Sequence, residues 1–264
     1  FEAARDGAWD NNAMHPNALI DHAAALIGRV LTFTHPADAT VAKYCRDNKG
    51  LGPRERATIS ETVYKVLRFK ARFEYLARSG PGGRDRKLAI LGFHGPRDFI
   101  ASSLTPQETA WLATCDAAKD DDFLDLHLHN LPQWLVNPLK AQVGDSFMAL
   151  ANALNTPATL DIRVNALKAK REAVQKALAA KSIPSEVTPY SPLGLRLEGN
   201  PSLHKFAGFE AGHFEVQDEG SQLLAALVGA KRGEMVADFC AGAGGKTLAM
   251  GADMRSTGRL YAFD

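Results

Sequence analysis

Cysteine is scarce: Cys45, Cys115 and Cys240 are the only three in 264 residues. They stand far apart, odd in number and without CxxC spacing, which argues against both a disulfide framework and a thiolate zinc site. Long apolar runs are missing too. The longest, "AAALIG" from Ala23 and "LLAALVGA" from Leu223, fall well short of the roughly 20 residues that cross a bilayer. The N-terminal stretch "FEAARDGAWD" has no initiator Met and lacks the basic head and apolar segment of a secretory leader. These absences lead to the expectation of a cytoplasmic protein with no membrane partner. Net charge is almost absent as well, with 31 Lys and Arg against 30 Asp and Glu, but the balance hides a patch. From Arg54 to Lys87 ten basic residues meet four acidic ones, and an acidic run from Asp116 offsets them. Such clustering is the footprint of a polyanion partner or of a solvated helix face, and the sequence leaves both open.

What is present begins with helices. "NALIDHAAALIGRVLT", "PADATVAKYCRDN" and "GPRERATISETVYKVLRFKARFEYLARSG" have apolar residues at helical spacing, the last running unbroken to the glycines at 80–83. Thr105 with Glu108 three residues on has the capping-box pattern. A helical pair broken near Gly144 follows, and no strand signal precedes Pro157. His127 and His129, in "DLHLHN", have only Asp125 as a neighbouring carboxylate. They read as surface or packing residues, and no metal is expected. Beyond Pro157 the pattern changes: "ATLDIRVNAL", "SEVTPY", "LGLRLEG" and "HFEVQD" read as strands around the amphipathic "KAKREAVQKALAA", a small α/β unit. A helix closed by Gly229 or Gly233 leads into "EMVADFC", a parallel strand expected to be buried. A glycine turn, a helix and the strand "RLYAFD" complete the sequence.

The turn "DFCAGAGGKT" (238–247), between a strand and a helix and followed by a strand ending in an acid, is the opening β-α-β unit of a doubly wound sheet. A P-loop would need glycine at position 240, which is Cys240, and the dinucleotide pattern is only partly met at Thr247. An adenosyl cofactor asks for less: a tight turn, supplied by Gly242, Gly244 and Gly245, and a carboxylate for the ribose hydroxyls, supplied by Asp264. Cys240 itself reads as a small buried hydrophobe.

That turn resembles the first motif, D-x-C-A-A/G-P/A-G-G-K-T, of the RNA cytosine-5 methyltransferases of the Sun/Fmu (NSUN) family, with Ala243 where many members have Pro. "LDIRVNALK" (160–168) is similar to the family signature R-V-N-x-L-K, "EVQDEGSQL" (215–223) to the segment before the catalytic domain, and "YAFD" to the second motif. The helical region resembles the domain similar to antitermination factor NusB. The resemblance implies a multidomain protein: an all-α, NusB-like bundle over 1–155, a small α/β, RRM-like domain over 156–212, and the start of a Rossmann-like methyltransferase domain over 213–264. It implies S-adenosylmethionine held by Cys240, Ala241, Gly242, Ala243, Gly244, Gly245, Lys246 and Asp264, and a monomer acting on RNA, above all 16S ribosomal RNA.

The family's chemistry implies a thiolate that adds to C6 of cytosine so that C5 can accept a methyl group. Its Thr-Cys and Pro-Cys motifs are absent here, and Cys45 and Cys115 read as core. The sequence is accordingly expected to be a piece of a longer protein, with its parallel strands and reactive cysteines completed downstream. Arg163 and Lys168 of the signature, with Arg54, Arg56, Arg68 and Arg72, are the candidate phosphate contacts; Arg163 reads equally as a residue that holds a domain interface. Gln217 and Asp218 order the approach to the cofactor turn, or Asp218 caps the next helix. The alternatives are a non-catalytic RNA-binding protein with an incomplete cofactor turn, and a methyltransferase acting on transfer RNA or another substrate.

Overall fold

The computed structural model describes residues 14–199 and 201–264; the N-terminal stretch read for a leader lies outside the described residues. Two compact units divide between Thr156 and Pro157. Among the described residues no helix is long and apolar enough to cross a membrane.

Among its described residues the first unit contains helices and no strand. Helices α1 (Pro16–Val30), α2 (Ala37–Asp47), α3 (Pro53–Arg68), α4 (Lys70–Leu76), α5 (Arg84–Gly92), α6 (Arg97–Ala101) and α7 (Pro106–Ala117) surround one core. α1 is its axis, burying Leu19, Ile20, Ala23, Leu26, Ile27 and Val30 at the i, i+3, i+4 spacing of one helical face, against α3 and α5. The expected capping box opens α7: Thr105 Oγ1 accepts the Glu108 N–H at 3.1 Å, and Glu108 accepts the Thr105 N–H at 2.8 Å. The long basic helix expected over 53–79 is instead two helices. It bends at Phe69 (φ −109°, ψ 31°), and Asn130 Oδ1 accepts the Arg72 N–H in the first turn of α4 at 3.0 Å.

Helices α8 (Asp125–His129), α9 (Gln133–Val143) and α10 (Phe147–Leu154) form a smaller cluster around Val136, Phe147 and Ala151, with the break at Gly144. His127 and His129 are both buried. The first stacks on Tyr75 at 4.3 Å, and the second packs edge-on to Phe147 while its Nδ1 accepts the Leu131 N–H at 3.0 Å. They pack; neither is a surface residue. Burial lowers both imidazole pKa values, with Arg78 adding to the effect at His127 and Lys140 at His129, where Asp125 opposes it. A folded pKa below the unfolded one means that this contribution is complete above about pH 6.5 and is lost as pH falls through the folded value. The thermal midpoint of the helical unit is thus expected to drop between pH 7.5 and pH 5.5. His127→Phe with His129→Asn, which keeps the stack and the acceptor, is expected to flatten that dependence in melts followed by circular dichroism.

In the second unit, strands β1 (Leu160–Val164), β2 (Ser185–Val187), β3 (Gly194–Leu197) and β4 (Phe214–Val216) form an antiparallel sheet of order β2-β3-β1-β4. With α11 (Arg171–Ala179) after β1 and the short α12 (Ala207–Glu210) before β4, this is the β-α-β-β-α-β arrangement of ferredoxin-like folds. One face of the sheet buries Ile162, Val164, Leu195 and Phe214 against Val174 and Leu178 of α11. A division at 212/213 would cut this sheet, because β4 pairs with β1.

Helix α13 (Glu219–Val228), N-capped by Asp218 and closed by Gly229, leads to β5 (Met235–Asp238), α14 (Gly245–Asp253) and β6 (Arg259–Ala262). β5 and β6 pair in parallel, Asp238 opposite Ala262. β5 is less buried than its apolar run suggests. Val236 and Leu260 pack on Met250 and Met254, while Met235, Phe239, Tyr261 and Phe263 are exposed.

Candidate cofactor turn and candidate RNA-facing residues

The turn between β5 and α14 is built from its first residue. Asp238, buried at the end of β5, accepts the Cys240 N–H through Oδ1 (3.3 Å) and the Thr247 hydroxyl through Oδ2 (2.6 Å). One carboxylate thus ties both ends of the turn. Gly242 and Gly244 adopt φ values of +52° and +84°, the left-handed region that favours glycine, and a Cβ at either would meet nothing within 4 Å. Open space therefore lies over these residues. Gly244 N-caps α14 and donates to Ala241 O (2.8 Å); Ala241 in turn donates to Phe263 O (2.9 Å). Asp264, following β6, accepts the Gly242 N–H at 3.2 Å. The turn so brings Cys240, Ala241, Gly242, Ala243, Gly244, Gly245 and Lys246 together with Asp264 at the carboxyl ends of two parallel strands, next to a helix N-terminus that favours anionic groups. Asp238 was missed as a site residue, although it opens the motif; its role depends on side-chain geometry that spacing does not carry.

The cysteines fall into distinct settings. Cys115 is buried, and desolvation pushes its thiol up to about 11, so it is a neutral core residue at physiological pH. Cys45 is half-buried against the helical core. Cys240 is exposed in the turn, contrary to the expectation of a buried hydrophobe.

The candidate phosphate contacts separate as well. Arg163 is 3% exposed, which corrects its reading as a phosphate-facing residue. Its Nε donates to Gln217 Oε1 at 2.6 Å, and its Nη2 donates to Glu215 and, at 3.4 Å, to the Gly245 carbonyl that opens α14. Register explains the pairing, since Arg163 stands opposite Glu215 as Asp161 stands opposite Arg196. Burial lowers the Arg163 pKa, with Glu215 opposing, and the guanidinium stays cationic. Arg72 is committed inside the helical unit, to Asp120 at 3.4 Å and over the Phe123 ring at 4.2 Å. Lys168 is exposed, but its Nζ donates to Ala211 O at 2.9 Å. Arg54 is exposed; Arg56 and Arg68 are half-buried. Elsewhere in the basic patch, Lys70 and Arg84 pair with Glu74, and Arg86 pairs with Glu108 and Asp21. Glu74 belongs to the patch itself, while Glu108 and Asp21 at Arg86 and Asp120 at Arg72 offset part of its charge excess from outside. Among the described residues no three His, Cys, Asp or Glu side chains gather as a metal site would require.

Residues 131–204 match the family model for the Methyltr_RsmF/B-like, ferredoxin-like domain. The probable ribosomal RNA small subunit methyltransferase B of Synechocystis sp. is 31% identical over 138 residues, 52% of this chain and 31% of that protein. Ribosomal RNA small subunit methyltransferase B of Sodalis glossinidius is 31% identical over 172 residues, 65% of this chain and 38% of that protein. Each of these matches thus spans less than half of the relative's length. The crystal structure of PH0851 shares the fold, with a TM-score of 0.68 at 19% identity over 97% of this chain and 65% of that one. Residues 131–204 are thus similar to the ferredoxin-like domain of the RsmF/B-type methyltransferases, and the chain is similar over part of its length to the ribosomal RNA small subunit methyltransferases B.

Proposed function

We propose that this chain belongs to an S-adenosylmethionine-dependent RNA (cytosine-5) methyltransferase acting on ribosomal RNA of the small subunit. In this reading residues 1–155 are a NusB-like helical domain, the small α/β domain includes β4, which pairs with β1, and the Rossmann-like catalytic domain begins after β4. The whole works in the cytoplasm as a monomer. The observation that carries the reading is the turn itself: positive φ at Gly242 and Gly244, open space above them, and the Asp264 carboxylate beside them. When bound, the cofactor supplies an electrophilic methyl group on sulfur. The residues that would hold it are those from Cys240 to Lys246, with Asp264 toward the ribose hydroxyls. The Asp264 carboxylate keeps acceptor capacity after taking the Gly242 N–H. The α14 N-terminus favours the carboxylate of the methionine part.

Methylation at C5 needs a nucleophile at C6 of the base. Neither Cys115, a buried neutral thiol, nor Cys45, packed on the core, is offered that role, and Cys240 belongs to the cofactor turn. The reactive thiol is assigned to a cysteine outside this sequence. Calorimetric titration of the full-length protein with S-adenosylmethionine is expected to show one site. Asp264→Ala is expected to weaken it roughly tenfold to a hundredfold, the worth of hydrogen bonds to a charged group. Unchanged affinity would remove Asp264 from the site, and no binding by the unaltered protein would sink the reading.

A further inference from the structure

A ferredoxin-like unit carries two helices on one face of its sheet. Here α11 has nine residues and α12 only four. Beside α11, toward the short α12, lies an open groove of about 1120 Å³. Phe214 of the core and the half-buried Phe206 line it, and Lys168, Lys170, Lys181 and Lys205 stand exposed around it. Among the described residues that line the groove none is acidic. The opposite face of the sheet, with which RRM domains stack bases, is closed. Asp161 and Arg163 are buried there in ion pairs, and Glu219 and Gln222 of α13 bond to the 190–191 loop and to Gln217.

We propose that this groove takes a single strand of RNA, its phosphates on the lysine rim and an unstacked base on the apolar floor beside Phe206. An apolar floor under an all-basic rim matches a ligand with planar apolar faces along an anionic backbone. The volume lies just above the roughly 300–1,000 Å³ typical of small-molecule pockets, so it has room for bases and not merely for a phosphate. The inference rests on the reading of the protein as one that acts on RNA.

The test is fluorescence anisotropy of the full-length protein with a labelled, mixed-sequence single strand of about 12 nucleotides, a length within the usual range of single-strand sites, across a salt series. Lys170→Glu/Lys181→Glu/Lys205→Glu is expected to weaken binding at least about tenfold near 0.15 M salt. It should also flatten the slope of log affinity against log salt by about 2, at roughly 0.7 for each phosphate no longer neutralised. Ala177→Trp, which fills the exposed floor and removes no charge, should weaken binding with the slope unchanged. Unchanged RNA affinity in both variants would overturn the proposal. So would a wild-type protein that binds no RNA strand, or a groove that binds an acidic amphipathic peptide in its place; if S-adenosylmethionine still binds, the methyltransferase reading stands. RNA binding abolished in both variants, in a protein that does not bind S-adenosylmethionine, would uphold the groove and overturn that reading instead.

Discussion

Arg163→Ala is expected to destabilise the unit formed by residues 157–264 by about 3–5 kcal/mol, the cost of breaking a buried ion pair from one side. The guanidinium joins three groups: Gln217, Glu215 and the Gly245 carbonyl. Alanine leaves the first two without their donor on a covered sheet face. Glu215 is the less enclosed partner, with a side chain 22% exposed, which places the effect toward the lower end of that range. Urea denaturation should show the loss as a lower midpoint at unchanged slope. Arg163→Lys should recover little, because a single ammonium cannot reproduce the fork that reaches Gln217 and Glu215 together. Arg163→Met with Glu215→Leu should recover more, since no charge is then left unpaired. Affinity for S-adenosylmethionine should fall in all three variants, because the hydrogen bond to Gly245 ties β1 to the start of α14. A destabilised variant that kept wild-type affinity would confine Arg163 to a structural role in the sheet.

The phosphate-facing reading of Arg163, one of the two that the sequence left open, shows where the sequence stops being informative. Alternation in "LDIRV" places Ile162 and Val164 on one face and Asp161 and Arg163 on the other, and a polar face ordinarily meets solvent. Here α13 covers it, so all four residues are buried. Period two reports which residues share a face, and it says nothing of what comes to lie on that face some sixty residues later. Local signals fared better. The Thr105–Glu108 box, the Asp218 cap and the closure of α13 at Gly229 depend on residues within one turn of each other, and each has the expected geometry. The bend at Phe69 was illegible because it answers to Asn130, far along the chain. The exposure of Phe239 and Cys240 was likewise hidden, since an apolar run names a strand without naming its cover. In the basic patch, composition counted ten cations but could not see that Glu74, Glu108 and Asp21 engage several of them.

Asp238→Ala is expected to have the largest effect on cofactor affinity, a loss of at least about a hundredfold, or roughly 3 kcal/mol. Its carboxylate holds the Cys240 N–H and the Thr247 hydroxyl at once, and hydrogen bonds to a charged acceptor are worth about 1.5–3 kcal/mol each. Glycines permit the turn, but they also leave the unfolded chain free, so something must select the one conformation that places Gly242 beside Asp264. Asp238 does so from a buried position that ligand need not touch. Asp238→Asn separates geometry from charge: its carbonyl oxygen can accept the Cys240 N–H and its amide can donate to the Thr247 oxygen. Near-wild-type affinity in the Asn variant with loss in the Ala variant, both read by calorimetry, is the pattern of a positioning residue. Equal loss in both would mean that the negative charge itself contributes to the ligand's field. Retention in both would mean that the pairing of β5 with β6 and the cap of α14 hold the turn without it.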